Sequence, residues 1–180
     1  MILPDGIRKD LHEGLIGLAE KHDVSIVVIE DVSWNDDLTP WPAKGVFKKA
    51  KPFGGKAATF LTKLTNEIIP ETERSMGIEN AERTLLGVSL SGLFAAWSAF
   101  NTDAFTNIIS ISGSLWYNGF VEWMKEQTPS LQLDKVCMLL GEKEKNQASV
   151  TFELVEGTHF SPIMPRLERA FEVIAETITH

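Results

Sequence analysis

Cysteine is nearly absent from this 180-residue sequence: the single one, Cys137, lies within the apolar run 136–140. A disulfide within the chain and a multi-cysteine zinc cluster are therefore both excluded. No apolar run approaches the roughly 20 residues of a membrane-spanning helix, and the first residues lack the basic and then apolar order of a signal peptide. We expect one soluble, cytoplasmic domain over residues 1–180, with no membrane partner.

Acidic residues are missing from one stretch of the chain. Between Asp37 and Glu67 there is no acid, although that stretch contains six lysines. The whole chain has 17 basic and 25 acidic side chains and a net charge of -8, so the remainder is more acidic still. This charge argues against nucleic acid as a partner.

Short apolar runs alternate with longer stretches of helical period, which is typical of a parallel sheet covered by helices. Strands are predicted at the apolar runs 26–29, 85–88, 108–111, 136–140 and 150–155. Helices are predicted at 9–21, at 57–69 before Pro70, at 93–100 and at 162–178. The predicted fold class is α/β. Only residues 142–149 separate the last two strands, whereas a parallel crossover needs about 10 to 12 residues, so either these strands are not ordinary parallel neighbours or a helix is missing.

A strand, a sharp turn and a buried helix follow one another around Ser89. The residues two before and two after it, Gly87 and Ser91, are small, as a nucleophile elbow requires. Helix entry directly after Ser89 would aim the backbone N–H of Leu90 at a developing oxyanion. The alternative is that Ser89 only caps the helix.

A serine nucleophile needs a base, and His159 is the histidine that follows the last predicted strand directly. Loops after parallel strands open on one edge of the sheet, so Ser89 and His159 are expected to face each other. An acid that orients the imidazole is expected after the preceding strand, where Glu144 is the first choice and Glu142 the second. A solvated loop is the alternative for these two glutamates.

Further residues are candidates for oxyanion and substrate binding. The Asp-Gly turn after residues 2–3 offers a second oxyanion donor, the N–H of Gly6 or of Ile7. Trp34 and Trp41 belong to a long loop in which aromatics alternate with lysines, and such a loop could bind an anionic or aromatic ester. A self-packed surface loop with solvated lysines is the other interpretation. Trp116 follows the strand 108–111 and is expected to wall the pocket or to join the core.

Four segments taken in order resemble a known family: Leu-Leu-Gly87-Val-Ser89-Leu-Ser-Gly-Leu, Ser-Gly-Ser-Leu-Trp116-Tyr, Leu-Gly-Glu-Lys-Glu144-Lys and Glu-Gly-Thr-His159-Phe. The chain resembles, over nearly its whole length, the putative-esterase branch of the α/β-hydrolase superfamily, which includes esterase D, enterochelin esterases and relatives that transfer acyl groups. The resemblance implies a three-layer fold, Ser89 as nucleophile, His159 as base and an acid after the penultimate strand. Compared with that family, the first strands and one late helix are missing.

The residues and the resemblance together predict a serine esterase that acts on a small-molecule carboxylic ester through an acyl-serine, without metal or cofactor. Two alternatives stay open: an acyltransferase with the same chemistry, and a catalytically silent fold that binds a ligand or partner. Homo-oligomerisation also stays open.

Overall fold

The computed structural model describes residues 1–78, 81–130, 132–141, 153–155, 165 and 167–172. Its helices are α1 (Asp5–His22), α2 (Trp34–Asp37), α3 (Ala57–Lys63), α4 (Ile69–Met76), α5 (Leu90–Ser98) and α6 (Phe120–Lys125), with a π-helix at Leu64–Ile68. Its strands are β1 (Pro42–Ala43), β2 (Phe53–Gly54), β3 (Thr84–Val88), β4 (Asn107–Ile111), β5 (Lys135–Gly141) and β6 (Glu153–Val155). Residues 167–172 are helical as well.

Four parallel strands form the main sheet in the order β3-β4-β5-β6. The register places Val88 beside Ile111, Ile111 beside Leu139 and Leu139 beside Glu153, so all four carboxyl ends lie at one edge. Beyond β3, Ile2 forms parallel bridges with both Gly87 and Ile29. The predicted α/β class with a parallel sheet is confirmed.

Helices cover both faces of this sheet because successive side chains of each strand point in opposite directions. Leu85 and Ile108 belong to a core that includes α3, α5 and α6. Leu86 and Ile109 belong to a second core, which includes α1 and residues 167–172. The result is the three-layer arrangement expected of an α/β-hydrolase.

Two local predictions are corrected. The helix expected to end before Pro70 continues as the π-helix and then as α4, with Pro70 at the start of α4, directly after the Ile69 N–H donates to the Leu64 carbonyl in the wider π-helical pattern. The run 26–29 forms only the bridge at Ile29, and not a full strand.

The last two strands settle one earlier question. β5 and β6 pair in parallel, so the explanation that these two strands are not ordinary parallel neighbours is wrong. The connection itself, like Glu142 and Glu144 within it, lies outside the described residues.

The loop expected after residue 33 contains short regular elements. It begins with α2 and then forms the antiparallel pair β1 and β2, with Pro42 opposite Gly54 and Ala43 opposite Phe53. Two-residue strands give no alternating pattern, so the sequence did not predict them. None of the helices among the described residues combines the length and the apolar character that crossing a bilayer requires.

Candidate active site

Ser89 occupies a sharp turn between β3 and α5. Its backbone has φ 61° and ψ -119°, a conformation that residues other than glycine rarely adopt. Such a conformation costs about 1–3 kcal/mol and persists only where the surroundings hold it. The predicted strand–serine–helix turn is therefore present, with a serine at its strained point.

Close backbone packing explains why small residues surround this turn. A methyl group on Gly87 would overlap the carbonyl of Ser91 and would lie 2.7 Å from the nitrogen of Gly92. A methyl group on Gly92 would in turn lie 2.8 Å from the Cα of Gly113. These neighbours are backbone atoms, which cannot move aside easily, so β3, α5 and the loop after β4 all press against the turn.

Ser91 has a structural use of its own. Its buried hydroxyl accepts a hydrogen bond from the Val88 N–H at 2.8 Å and lies 2.7 Å from the carbonyl oxygen of Ile2. The side chain therefore connects the start of the chain to the end of β3. A glycine here could not make these bonds.

The loop after β4 braces the main chain of Ser89. The Ser89 N–H donates to the Ile111 carbonyl at 3.0 Å, and the Ser114 N–H donates to the Ser89 carbonyl at 3.0 Å. Ser112, whose φ is 47°, donates its N–H to Leu139 on β5 at 2.7 Å. This bracing was not predicted from the sequence, although the small Ser-Gly-Ser segment after a buried strand was a signal for it.

Both predicted oxyanion donors lie at helix starts. Leu90 is the first residue of α5, and Gly6 lies in the first turn of α1. The first N–H groups of a helix have no partner within it and form the positive end of its dipole. Because α1 follows Ile2 and Leu3, which run beside the carboxyl end of β3, both helices begin near the same edge of the sheet.

The three predicted substrate-binding tryptophans lie in different environments. Trp116 is half exposed in the loop after β4. Trp34 is half-buried and packs against the first core. Trp41 contacts the rings of Tyr117, Phe120 and Trp123, with centroids 5.9 to 6.5 Å apart.

Polar contacts hold Trp41 to the loop after β4. Its indole N–H donates to the Asn118 carbonyl at 2.8 Å, and its own carbonyl accepts a hydrogen bond from the Tyr117 hydroxyl at 2.5 Å. Burial raises the pKa of Tyr117, so this hydroxyl keeps its proton and remains a donor at neutral pH. Trp41 therefore joins the start of β1 to the loop that braces Ser89.

His159 and both acid candidates, Glu144 and Glu142, lie outside the described residues. The strands that precede them are described: β5 ends at Gly141 and β6 ends at Val155, both at the edge where Ser89 lies. Among the residues that the structure does describe, no cluster of histidine, cysteine and carboxylate side chains suits a metal ion.

Comparisons with known proteins agree with this architecture. The model of a family described as putative esterase matches residues 5–174. An uncharacterised Bacillus subtilis protein, YbbA, is 30% identical over 125 residues, which are 68% of this chain and 50% of that protein. The chain thus spans half the length of this curated relative.

Two solved structures share the fold. One is the BES protein from Bacillus cereus, with a TM-score of 0.67 and 24% identity, covering 96% of this chain and 82% of that one. The other is the enterobactin hydrolase IroE in complex with DFP, with a TM-score of 0.67 and 20% identity, covering 97% of this chain and 80% of that one.

Proposed function

Because the chain belongs to the putative-esterase family, we propose that it is a serine esterase that hydrolyses small-molecule carboxylic esters. The observation that carries this proposal is the backbone of Ser89, which is held at φ 61° between the end of β3 and the start of α5. A cap residue has no need of that strained conformation, whereas a nucleophile elbow depends on it.

The proposed reaction follows the serine-hydrolase pattern. The Ser89 hydroxyl attacks the ester carbonyl while His159 takes its proton, and the tetrahedral intermediate collapses to an acyl-serine as His159 protonates the leaving alcohol. Water, deprotonated by His159, then attacks the acyl-serine and releases the acid. Glu144, with Glu142 as second choice, would orient the imidazole.

Sheet geometry supports His159 as the base. β6 lies three strand spacings from β3, which is about 14 Å at 4.8 Å per spacing. His159 is four residues beyond Val155, and four extended residues span up to about 14 Å. A segment of this length is thus just long enough, when fully extended, to bring the histidine to Ser89, as the proposal requires.

Oxyanion stabilisation is assigned to the two helix starts. The N–H of Leu90 and the N–H of Gly6 would donate to the carbonyl oxygen as negative charge develops on it. Trp116 is the tryptophan best placed to contact substrate directly, because it is exposed and lies two residues beyond the Ser114 contact with Ser89. Trp41 and Trp34 would form part of the wall of the substrate pocket next to Trp116.

Labelling with an alkyl fluorophosphonate tests the nucleophile. The native chain is expected to be labelled and the Ser89→Ala variant to be unlabelled. The control is Ser75→Ala, which removes an exposed serine on α4 and should keep full labelling. A native chain that stays unlabelled would favour the catalytically silent fold. Labelling that survives Ser89→Ala would place the nucleophile elsewhere.

Ester turnover tests the base. His159→Ala is expected to lower kcat/KM by about 1,000-fold or more, whereas His22→Gln at the end of α1 leaves it nearly unchanged. A small effect of His159→Ala would mean that another group accepts the proton. Acyl transfer is checked in the same assay by adding an alcohol and measuring the ester formed from it against the acid released.

A further inference from the structure

The tip of the β1–β2 hairpin, residues 44–52, has an unusual charge. It contains Lys44, Lys48, Lys49 and Lys51 and no acidic residue. All four lysines are exposed, and within the part of the chain that the structure describes none of them forms an ion pair. Four positive charges within eight residues repel one another, and an anion bound at this surface would relieve that repulsion.

The backbone presents these lysines together. The Ala50 N–H donates to the Phe47 carbonyl at 2.8 Å, which closes a turn with Lys48 and Lys49 at its two central positions. Gly45 approaches the other side of the hairpin so closely that a methyl group on it would lie 2.7 Å from the Lys51 carbonyl oxygen. Phe47 itself is 78% exposed, so the tip offers an apolar contact beside the charges.

The acidic residues at the base of the hairpin are already engaged. The carboxylate of Asp36 accepts from Lys56 at 2.8 Å, and that of Asp37 accepts from the Ser33 N–H at 2.9 Å. Within the part of the chain that the structure describes, neither carboxylate forms an ion pair with a lysine of the tip.

The base of the hairpin is fixed beside the Ser89 turn. Phe53 on β2 is buried against the Tyr117 ring, with centroids 5.3 Å apart, and Trp41 before β1 bonds to residues 117–118. The same loop donates the Ser114 N–H to Ser89. One loop thus contacts both the proposed nucleophile and the support of the lysine-rich tip.

We propose that residues 44–52 determine substrate choice by binding negative charge, so that the preferred substrates are anionic esters whose charged group lies outside the bond that is cleaved. This inference rests on the proposed hydrolysis at Ser89. The chain as a whole carries a net charge of -8 and repels an anion, so the acid-free hairpin supplies the local positive potential that brings one to the site.

The test compares the native chain with a hairpin variant in which Lys44, Lys48, Lys49 and Lys51 are all changed to glutamine. Two substrate pairs each match an anionic ester with a neutral amide of similar size: 4-nitrophenyl hemiadipate against 4-nitrophenyl adipamate, and 4-acetoxybenzoate against 4-acetoxybenzamide. The pairs place the charge on the acyl side and on the leaving-group side. At low ionic strength the hairpin variant is expected to lose about tenfold in kcat/KM for the anionic member of at least one pair, through KM, with the neutral member unchanged.

A matched control removes the same amount of charge elsewhere. Lys21, Lys63, Arg74 and Lys125 are exposed and lie outside the hairpin, and changing all four to glutamine is expected to leave both members of each pair unaffected. Equal losses for anionic and neutral esters in the hairpin variant, or equal losses in the two variants, would overturn the inference.

A separate result identifies failure of the underlying activity. If the native chain hydrolyses none of the four esters, the proposed hydrolysis fails, and charge recognition is then judged by calorimetric binding of 4-acetamidobenzoate against 4-acetamidobenzamide. If the native chain binds the benzoate more tightly and the hairpin variant does not, the recognition of negative charge stands although the proposed hydrolysis fails. No preference in the native chain would overturn it.

Discussion

The two ends of β3 differ sharply. At its carboxyl end, backbone atoms of β3, α5 and the loop after β4 touch one another around Ser89 and leave no room for a methyl group on Gly87. At its amino end, a cavity of about 380 Å³ separates the strand from residues 23–29 and α4. Its walls are mostly apolar side chains such as Leu64 and Ile68, with Glu73 and Arg83 among the lining residues.

This difference predicts that substitutions at the two ends of β3 affect different properties. A tightly packed turn fixes a hydroxyl in place, so substitutions at the carboxyl end should affect labelling of Ser89 and stability together. A loosely filled region tolerates changes of size, so substitutions at the amino end should affect stability alone. Three substitutions test this contrast.

Gly87→Ala is expected to have the largest effect. The new methyl group collides with the backbone of Ser91 and Gly92, so the unfolding free energy should fall by about 3 kcal/mol and fluorophosphonate labelling should be lost. Urea denaturation and labelling of the folded fraction measure the two effects. Gly77→Ala is the matched control: Gly77 has φ 67° with open space around it, so the cost is about 1 kcal/mol of conformational strain and labelling persists. A Gly87→Ala chain as stable as the native one would contradict the packing described at the turn.

Glu73→Gln is expected to have a smaller effect, and one that depends on pH. Arg83 binds Glu73 through two hydrogen bonds, at 2.5 and 2.8 Å, and this contact lowers the pKa of the Glu73 carboxyl. At neutral pH the substitution should cost about 0.5–1 kcal/mol, a modest value because the Arg83 side chain is 35% exposed and solvent screens the pair.

The pH dependence of this cost has a definite sign. Because the pKa of Glu73 is lower in the folded chain than in the unfolded one, the pair stabilises the fold above the unfolded value of about 4.3. That contribution is lost as the pH falls through the lowered pKa, so the difference in Tm between native and Glu73→Gln should shrink on acidification. Glu71→Gln, an exposed position on the same helix, serves as the control. A difference that stays constant with pH would show that the ion pair is not its source.

Ala81→Leu is expected to have the smallest effect, and in the opposite direction. Ala81 lines the cavity, so a larger apolar side chain can fill empty space and raise the unfolding free energy by up to about 1 kcal/mol. Urea denaturation measures the gain, with the exposed Ala58→Leu on α3 as the control, and labelling should not change. A loss of stability would mean that this end of β3 is as tightly packed as the other.

Much of the sheet and the turn could be predicted from local sequence. β3, β4 and β5 begin within one residue of their predicted starts, because buried parallel strands are continuous apolar runs. The turn at Ser89 was recognisable from the small residues on either side of it, which the packing there requires.

Other features depend on contacts that no local pattern encodes. The run 26–29 is as β-branched as a strand should be, yet its neighbour in the structure is the short segment around Ile2, so only a bridge forms. The bond from Ser114 to Ser89 and the anchoring of Trp41 depend on how separate loops meet. Whether His159 and Glu144 join Ser89 remains a prediction.

The strained backbone at Ser89 also constrains how this chain can change. Glycine would occupy that conformation more comfortably, so an L-residue there reduces the stability margin by an amount comparable to a sizeable core mutation. A redesign that ranks positions only by thermal tolerance would therefore favour replacing this serine. Position 89 should therefore be held fixed, and gains in robustness sought at sites remote from it.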